Sequence, residues 1–232
     1  GKIVPADVAL VGDAKQTLPL LTRRIQARNH RAWIDEFRAC DKIEYEKVIR
    51  RAVHPAEGRI RMGEAVAFYI ARSGRPGPVV VDITKDAQCG TAPFSYEKVA
   101  SIRSYVPASV PSEERIDEAA RLIDAAQRPL AMIGQGVILS GGEAELRAFL
   151  DKSGMPAAST LLGLSALPTD SPQYVGMLGM HGNYGPNIKN RDCDLLLAVG
   201  MRFDDRVTGN PGCFGANAKI IHLEIDPAEI GK

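Results

Sequence analysis

Short apolar runs recur along the second half of the chain and predict β-strands. The clearest are PLAMI at residues 129–133, DLLLAV at 194–199 and KIIHLEI at 219–225. The last two are apolar enough to be covered on both faces of a sheet. Weaker runs at residues 157–161 and 174–177 bring the number of strands predicted in this half to five.

Amphipathic helices are predicted on either side of the first strand. Residues 112–127 place apolar side chains three and four positions apart behind Ser112, a good helix-capping residue. The segment Ser140-Gly141-Gly142-Glu143 has the spacing of a capping box and precedes an apolar stripe at residues 146–150. Strands that alternate with helices predict a parallel, doubly wound sheet.

A sixth strand is predicted near the start of the chain. DVALV at residues 7–11 is followed by Gly12-Asp13-Ala14 and a helix, which we expect to break near Pro19 and to reach about Val53. Residues 89–111 contain serine, proline and few apolar positions, which predicts a linker. The predicted fold class is therefore α/β, with a six-stranded parallel doubly wound (Rossmann-like) sheet.

Composition excludes several classes of partner. The 232 residues carry 29 basic and 28 acidic side chains, so a net charge of +1 predicts neither nucleic acid nor a membrane surface as a partner. No apolar run approaches the roughly 18 residues that span a bilayer, and the first residues do not follow a signal-peptide pattern. Four widely spaced cysteines argue against zinc or a disulfide framework. We therefore expect a cytoplasmic protein.

Common nucleophile and metal motifs are absent from the sequence. It contains no G-x-S-x-G, no H-E-x-x-H and no G-x-x-x-x-G-K-[ST]. Structural roles are favoured for the four scattered histidines, which are His30, His54, His181 and His222. The sequence therefore predicts no catalytic residue and no metal ligand.

Small and charged residues cluster where the predicted strands end. These clusters are Gly134-Gln135-Gly136, Gly200-Met201-Arg202, Gly12-Asp13-Ala14, and Glu224 with Asp226. In doubly wound sheets the carboxyl ends of the strands line the crevice where ligands bind. Glycines let a phosphate approach the backbone, and a carboxylate there can accept hydrogen bonds from ribose hydroxyls. Taken alone, Gly-Gln-Gly is equally compatible with a plain turn, and the absence of G-x-G-x-x-G argues against NAD.

The densest charged segment is RFDDRVTG at residues 202–209. One interpretation is a surface loop in which two arginines and two aspartates neutralise one another. The alternative is that Arg202 and Arg206 hold a diphosphate or a planar ring, while the aspartates fix the guanidinium groups. Composition alone favours the surface loop.

Six segments carry a resemblance to a known family. They are GMLGMHG at residues 176–182, RFDDRVTG at 202–209, AKIIH at 218–222, DPAEIGK at 226–232, RPGPVVVD at 75–82 and VGDAK at 11–15. Together they resemble the catalytic (large) subunits of the acetolactate synthase, or acetohydroxyacid synthase, family of thiamine-diphosphate enzymes. RFDDRVTG is specific to this family within that wider superfamily. The resemblance therefore favours a functional role for this segment over a plain surface loop.

The resemblance implies that the chain corresponds to the family's central domain, which binds FAD in a structural role. The FAD-binding residues that it implies are Arg75, Gly134, Gln135, Gly136, Thr160, Leu161, Leu162, Leu178, Gly179, Met180, His181, Gly200, Met201, Arg202, Asp204, Arg206, Val207, Glu224, Ile225, Gly12, Asp13 and Ala14. Family members usually carry Gly at Gln135, Met at Leu162 and Asp at Glu224. Glu224 keeps the carboxylate on a side chain one methylene longer.

The order of the segments differs from that of the family. There, a segment like DPAEIGK runs on into one like IVPADVALVGDAK, which here occupies residues 3–15. The sequence therefore predicts a circularly permuted central domain. Residues 1–62 are assigned to its last strand and helix plus a linker, 63–106 to the tail of an N-terminal pyrimidine-binding domain and a linker, and 107–232 to the main body.

Two structural expectations follow from that order. Val8–Val11 should pair in parallel with the strand at residues 219–225, although they lie at opposite ends of the chain. Residues 226–231 should begin the helix that would connect these two strands in the family. The apolar segment at residues 79–83 should form a strand without its usual neighbours, so it should either pair with another copy of the chain or remain poorly ordered.

The catalytic machinery of the family is not recognisable in these 232 residues. In the family, an N-terminal glutamate activates the thiamine ring, and a C-terminal Gly-Asp-Gly…Asn motif binds the diphosphate through Mg²⁺. One hypothesis is that the chain represents acetolactate synthase itself, and the other is that it is a binding and scaffold module without turnover. We expect thiamine diphosphate and Mg²⁺ only in the full-length enzyme. The resemblance also implies a homo-oligomer and, in the full enzyme, a possible regulatory small subunit.

Overall fold

The computed structural model describes residues 6–38, 67, 69–82, 85 and 110–231. The chain divides into two compact units, one formed by Gly1–Lys47 with Ser109–Lys232 and the other by Val48–Ala108. The three predicted domain ranges, 1–62, 63–106 and 107–232, remain a prediction.

One six-stranded parallel sheet forms the centre of the first unit. Its strands are β1 (Val8–Val11), β2 (Pro129–Ile133), β3 (Ala157–Ser159), β4 (Tyr174–Met177), β5 (Leu195–Val199) and β6 (Lys219–Glu224). Across the sheet they lie in the order β4-β3-β2-β5-β6-β1. The predicted strands at residues 129–133, 174–177, 194–199 and 219–225 are confirmed within a residue, whereas the one predicted at residues 157–161 ends at Ser159.

Helices cover both faces of this sheet in the described part of the unit. They are α1 (Ala14–Arg24), α2 (Arg31–Arg38), α3 (Glu113–Ala125), α4 (Gln135–Ser140), α5 (Glu143–Ser153), α6 (Tyr184–Lys189) and α7 (Asp205–Thr208). Side chains of α1, α3 and α5 share one buried apolar cluster, and α2 contributes Trp33 and Ile34 to a second cluster. Strand β5 sends Leu195, Leu197 and Val199 into the first cluster and its other residues into the second, because side chains alternate along a strand.

Strand β1 pairs with β6 in parallel, as the sequence predicts. Val8 lies opposite Ile221 and Val11 lies opposite Glu224. Asp7 fixes the start of this ladder, since its Oδ2 accepts a hydrogen bond from the backbone N–H of Ile220 at 2.6 Å. The first residues of the described chain therefore supply the strand at one edge of the sheet.

The break predicted near Pro19 is wrong. Helix α1 runs through Pro19 and ends at Arg24, and the chain is extended at Ile25. Asp13 caps the helix by accepting a hydrogen bond from the N–H of Gln16, and Leu18 and Leu21 are fully buried. Burial on both sides of the proline outweighs the one helical hydrogen bond that proline removes. The predicted continuation to Val53 lies outside the described residues.

The predicted capping box at Ser140 is also wrong. Ser140 is the last residue of α4, and its hydroxyl donates to the carbonyl of Val137 at 2.9 Å. Gly141 adopts the left-handed conformation, with φ of 64°, and Gly142 takes the capping position of α5 without a side-chain hydrogen bond. Two glycines thus end one helix and start the next. The cap predicted at Ser112 is confirmed, because its hydroxyl accepts from the N–H of Arg115.

The connection predicted after β6 begins as a helical turn of the tighter 3₁₀ type. The turn spans Pro227–Glu229, and Asp226 caps it by accepting from the N–H of Ala228 at 2.9 Å. It is shorter than the helix expected there, and proline at its first position suits a helical start.

The second unit is described only in part. Residues 67 and 69–72 are helical, and residues 75–82 adopt neither helix nor strand. The expected strand at residues 79–83 is therefore not formed over its described positions, where Val80 is 92% exposed. A strand needs a partner for its backbone groups, and the described residues of this unit supply none. Pairing with another copy stays a prediction.

Candidate functional site

The carboxyl ends of the six strands meet at one edge of the sheet, because all strands are parallel. Strand β2 lies near the centre, and the chain winds outward from it to β3 and β4 on one side and then to β5 and β6 on the other. Strand β1, from the first residues of the described chain, lies outside β6. The direction of winding therefore reverses between β2 and β5. In doubly wound sheets this topological switch point opens the crevice that binds a ligand.

Glycines bring the loops after β2 and β5 into contact at the switch point. The N–H of Gly136 donates to the carbonyl of Gly200 at 2.9 Å. A Cβ atom on Gly136 would lie 2.6 Å from Cα of Gly200, which no side chain can tolerate. Gly200 itself has φ of +59°, the left-handed region that glycine favours. These glycines are needed for the approach of one loop to the other, whatever else binds there.

Asp204 organises the charged loop after β5. Its Oδ1 accepts from the N–H of Arg206 at 3.0 Å, which caps α7, and its Oδ2 accepts from Nε of Arg202 at 3.1 Å. The Arg202 side chain remains 55% exposed. The loop is thus self-neutralising in part, and it also holds an oriented guanidinium at the surface. The interpretation of RFDDRVTG as a ligand-binding segment stays a prediction.

The loop after β4 is fastened to the loop after β5. The N–H of Met180 donates to the carbonyl of Arg206 at 2.7 Å, and Nη1 of Arg206 lies 3.6 Å from Sδ of Met180. Asn187 on α6 clamps the neighbouring peptide, since its side chain accepts from the N–H of Gly179 and donates to the carbonyl of Gly179, both at 2.8 Å. The sequence-based prediction missed Asn187, because its role depends on the peptide of Gly179, which approaches it only in the folded chain.

Apolar side chains are exposed on two loops of this edge. After β3, the hydroxyl of Thr160 accepts from the N–H of Gly163 and caps a single 3₁₀ turn. That turn leaves Leu161 and Leu162 each 63% exposed, and Met180 on the next loop is 58% exposed. Met180 lies beside Arg206, and this combination of exposed apolar and cationic groups suits a ligand with both an apolar ring and an anionic group.

The carboxylates of Glu224 and Asp13 accept hydrogen bonds from backbone N–H groups of the residues that follow them. Oε1 of Glu224 accepts from the N–H groups of Ile225 and Asp226 at 3.0 and 3.3 Å, and its side chain is buried. Asp13 caps α1, as described above. The carboxylate expected to contact a ribose is therefore folded onto the backbone that follows it.

His222 lies within the sheet directly below the loop after β5. It is fully buried, its Nε2 lies 2.7 Å from the carbonyl oxygen of Met201, and its ring packs edge-on against Phe203 with centroids 4.9 Å apart. Burial lowers the pKa of His222, with a smaller opposing effect of the Met201 carbonyl. His181, in contrast, is exposed on the loop after β4.

Cys193 is a buried free cysteine. Burial raises the pKa of the Cys193 thiol to about 12, so that thiol stays protonated and unreactive. Within residues 6–38, 67, 69–82, 85 and 110–231, no group of three or more histidine, cysteine or acidic side chains is placed to hold a metal ion. No helix of the described segments is long and apolar enough to cross a membrane.

The structure brings almost all of the predicted cofactor-binding residues to one edge. Every residue of the set except Arg75 lies at the end of a strand, in the loop that follows it, or in the first helical turn after that loop. Arg75 belongs to the second unit. A cavity of about 270 Å³ opens beside the loops after β4 and β5, and its lining includes Met180, Asn187 and Arg206.

A parallel sheet wound in both directions from a central strand, with glycine-rich and charged loops at its carboxyl edge, defines a doubly wound domain of the nucleotide-binding kind. The family model for the thiamine pyrophosphate enzyme central domain matches residues 116–232. The chain belongs to this family.

Known relatives agree with that assignment. The acetolactate synthase large subunit of Corynebacterium glutamicum is 45% identical over 168 residues, which cover 72% of this chain and 27% of that protein. The chloroplastic acetolactate synthase 1 of Zea mays is 46% identical over 168 residues, covering 72% of this chain and 26% of that protein. The chain thus spans about a quarter of the length of these relatives.

A solved structure shares the fold. A protein isolated from Mycobacterium smegmatis, assigned as a thiamin diphosphate-dependent enzyme, superposes with a TM-score of 0.54 and 25% identity. The match covers 72% of this chain and 32% of that one.

Proposed function

We propose that this chain is the FAD-binding central domain of an acetolactate synthase large subunit. The full enzyme would condense pyruvate with pyruvate or 2-ketobutyrate, with loss of CO₂, in branched-chain amino-acid biosynthesis. The observation that carries the proposal is the convergence of six strand ends at one edge, in a chain of which 168 residues are 45% identical to such a subunit.

The chemistry of this edge fits FAD. Arg202 and Arg206 offer guanidinium groups for the diphosphate, and Asp204 already orients the first of them. Leu161, Leu162 and Met180 present exposed apolar surface for a flavin ring, as detailed above. The flavin in this family is structural, so its role here would be to brace the loops that it contacts. Glu224 fits least well, because its carboxylate is engaged by its own turn.

We propose no turnover for this chain by itself. Thiamine diphosphate and Mg²⁺ would bind only in the full-length enzyme, whose remaining domains supply the activating glutamate and the metal-binding motif. Assembly into a homo-oligomer, association with a regulatory small subunit and a cytoplasmic location are parts of the same proposal. The unit containing Arg75 would belong, in the full enzyme, to the neighbouring domain.

Two measurements on the purified chain test the proposal. A visible spectrum after incubation with FAD and gel filtration should show retained flavin absorbance, whereas complete loss of flavin would count against the binding role. A pyruvate-to-acetolactate assay with thiamine diphosphate, Mg²⁺ and FAD should give only background, and turnover above background would overturn the module interpretation.

A further inference from the structure

His222 connects the interior of the sheet to the loop that carries Arg202. Its Nε2 lies 2.7 Å from the carbonyl oxygen of Met201, the residue immediately before Arg202. Its ring packs edge-on against Phe203, the residue immediately after Arg202, at 4.9 Å. Phe203 in turn packs edge-on against Phe214 at 6.2 Å. Both chain neighbours of Arg202, Met201 and Phe203, therefore contact the same buried histidine.

We infer that His222 is a positioning residue for the flavin site, because its Nε2–H holds the Met201 carbonyl and so sets the direction in which Arg202 leaves the sheet. This inference rests on the proposed function and names a residue that the sequence analysis assigned to structure alone. His222 contacts the loop and is not expected to contact the flavin.

The partner atom settles which nitrogen carries the proton. A backbone carbonyl can only accept, so Nε2 must be the donor and the ring must be protonated there. Nδ1 is buried without a hydrogen-bond partner in the described residues, so a second proton on the ring would have no acceptor. Burial also lowers the pKa, and the charge on Glu229 opposes that effect only in part. Both features keep the imidazole neutral.

Packing alone does not account for a histidine at this position. Ile220, two residues earlier on the same face of β6, shows that an aliphatic side chain fits the same apolar cluster. An unpaired buried nitrogen such as Nδ1 costs stability that an aliphatic residue would avoid. An aliphatic residue could make neither the hydrogen bond to Met201 nor the edge-on ring contact with Phe203, and both contacts reach the loop that carries Arg202.

The loop depends on this bond because its hydrogen bonds at Gly200 and Asp204 lie at its ends. Gly200 donates from its N–H to the carbonyl of Leu223 at 2.8 Å, on β6 itself. Asp204 then fixes the start of α7, as described above. Between these anchors, the Met201 carbonyl and the Phe203 ring are held by His222.

A matched pair of variants tests the inference on the whole chain. His222→Gln keeps an N–H donor close to the position of Nε2, and His222→Phe keeps the ring against Phe203 without a donor. We expect the Phe variant to bind FAD about ten-fold more weakly, as for loss of one hydrogen bond. In the FAD-free protein, it should also exchange amide hydrogens at residues 201–209 faster. The Gln variant should stay within about three-fold of the unaltered chain in both measurements. A Phe variant that matches the unaltered chain, or a Gln variant as impaired as Phe, would overturn the inference.

A second measurement needs neither variant nor flavin. Nitrogen-15 NMR of the imidazole in the unaltered, FAD-free chain should show the neutral form with the proton on Nε2. A proton on Nδ1, or a cationic ring at neutral pH, would overturn the inference even if a variant failed to fold. Failure of the unaltered chain to bind FAD would instead refute the proposed function, and the exchange and NMR results would still decide the role of His222.

Discussion

The exposed guanidinium of Arg202 leads to the most direct prediction at the scale of a single residue. Replacing Arg202 with Ala should weaken FAD binding by about 1.5–3 kcal/mol, the range for a hydrogen bond to a charged group. Arg202→Lys should cost nearly as much, because an ammonium cannot reproduce the planar pair of donors. Fluorescence titration of FAD measures both. Arg121→Ala, on the exposed face of α3, is the control, and equal affinities for Arg202→Ala and the unaltered chain would refute the assignment.

The buried imidazole predicts a pH dependence of stability. The pKa of His222 is lowered in the folded chain from its usual 6.5, so the unfolded chain takes up a proton first as the pH falls. The free energy of unfolding should therefore decrease as the pH is lowered through about 6.5 towards the folded-state pKa, and it should be fully present above that window. Urea unfolding at several pH values measures it. The decrease should be smaller in His222→Gln. An equal decrease in that variant would mean that another group causes the pH dependence.

Single residues show where a sequence-based prediction of the site succeeds and where it stops. Arg202 and Asp204 were placed correctly at a strand end, because strand ends can be read from apolar runs. Asn187 and His222 could not be assigned, because their roles depend on a peptide and a carbonyl that approach them only in the folded sheet. Glu224 shows the same limit, since nothing in the sequence indicates that its carboxylate turns back onto Ile225.

At the scale of elements, Ser112 and Ser140 both precede helices, but their replacement should affect stability to different extents. Ser112 accepts a hydrogen bond from an N–H of α3, whereas Ser140 donates back into α4 and caps nothing. Ser112→Ala should lower the free energy of unfolding by roughly 0.5–1 kcal/mol, the usual cost of losing a cap. Ser140→Ala should cost less. Chemical denaturation measures the free energy of unfolding of both variants. A larger decrease for Ser140→Ala than for Ser112→Ala would contradict the observed caps.

The contact between the loops after β2 and β5 makes a steric prediction. Gly136→Ala would place a methyl group against the backbone of Gly200, so it should lower the free energy of unfolding by about 1–3 kcal/mol through overpacking. Gly212→Ala is the matched control, since its nearest atom would be 3.5 Å away, an ordinary contact. Thermal unfolding should separate the two variants. Equal free energies of unfolding for Gly136→Ala and Gly212→Ala would mean that the two loops can move apart without loss of stability.

Element types and most strand boundaries were predictable where apolar periodicity was strong, whereas the ends of α1 and α4 were not. The strands and α3 follow directly from their patterns. The passage of α1 through Pro19 could not be anticipated, because it depends on the burial of Leu18 and Leu21 against other helices. The helix break at Gly141 was not predicted, because Ser140 and Glu143 have the spacing of a capping box. That spacing does not show that Ser140 belongs to the preceding helix.

At the scale of the molecule, the sheet joins strands from opposite ends of the chain. Strand β1 completes the edge beside β6, and α1 packs against α3 and α5. Cleaving the chain at an engineered protease site within residues 48–108 should therefore leave the two pieces associated. Gel filtration under native conditions should show them eluting together. Separation into two species would contradict the cohesion that the β1–β6 ladder provides.

The pairing of β1 with β6 was predictable because the family resemblance places their two segments next to each other, and both are apolar runs that end in small or acidic turns. The state of residues 79–82 was not, because a strand depends on neighbours that no local pattern encodes. The order of the strands across the sheet likewise required the structure, and it is that order which places the switch point between Gly136 and Gly200.

The central claim is that the carboxyl edge of this sheet binds FAD, and amide hydrogen exchange with and without FAD tests it most directly. Saturating FAD should slow exchange in the loops after β2, β3, β4 and β5, while the turns at the opposite edge, such as Gln127-Arg128 before β2, stay unchanged. Protection confined to the opposite edge, or no change in any of these loops at saturation, would contradict it.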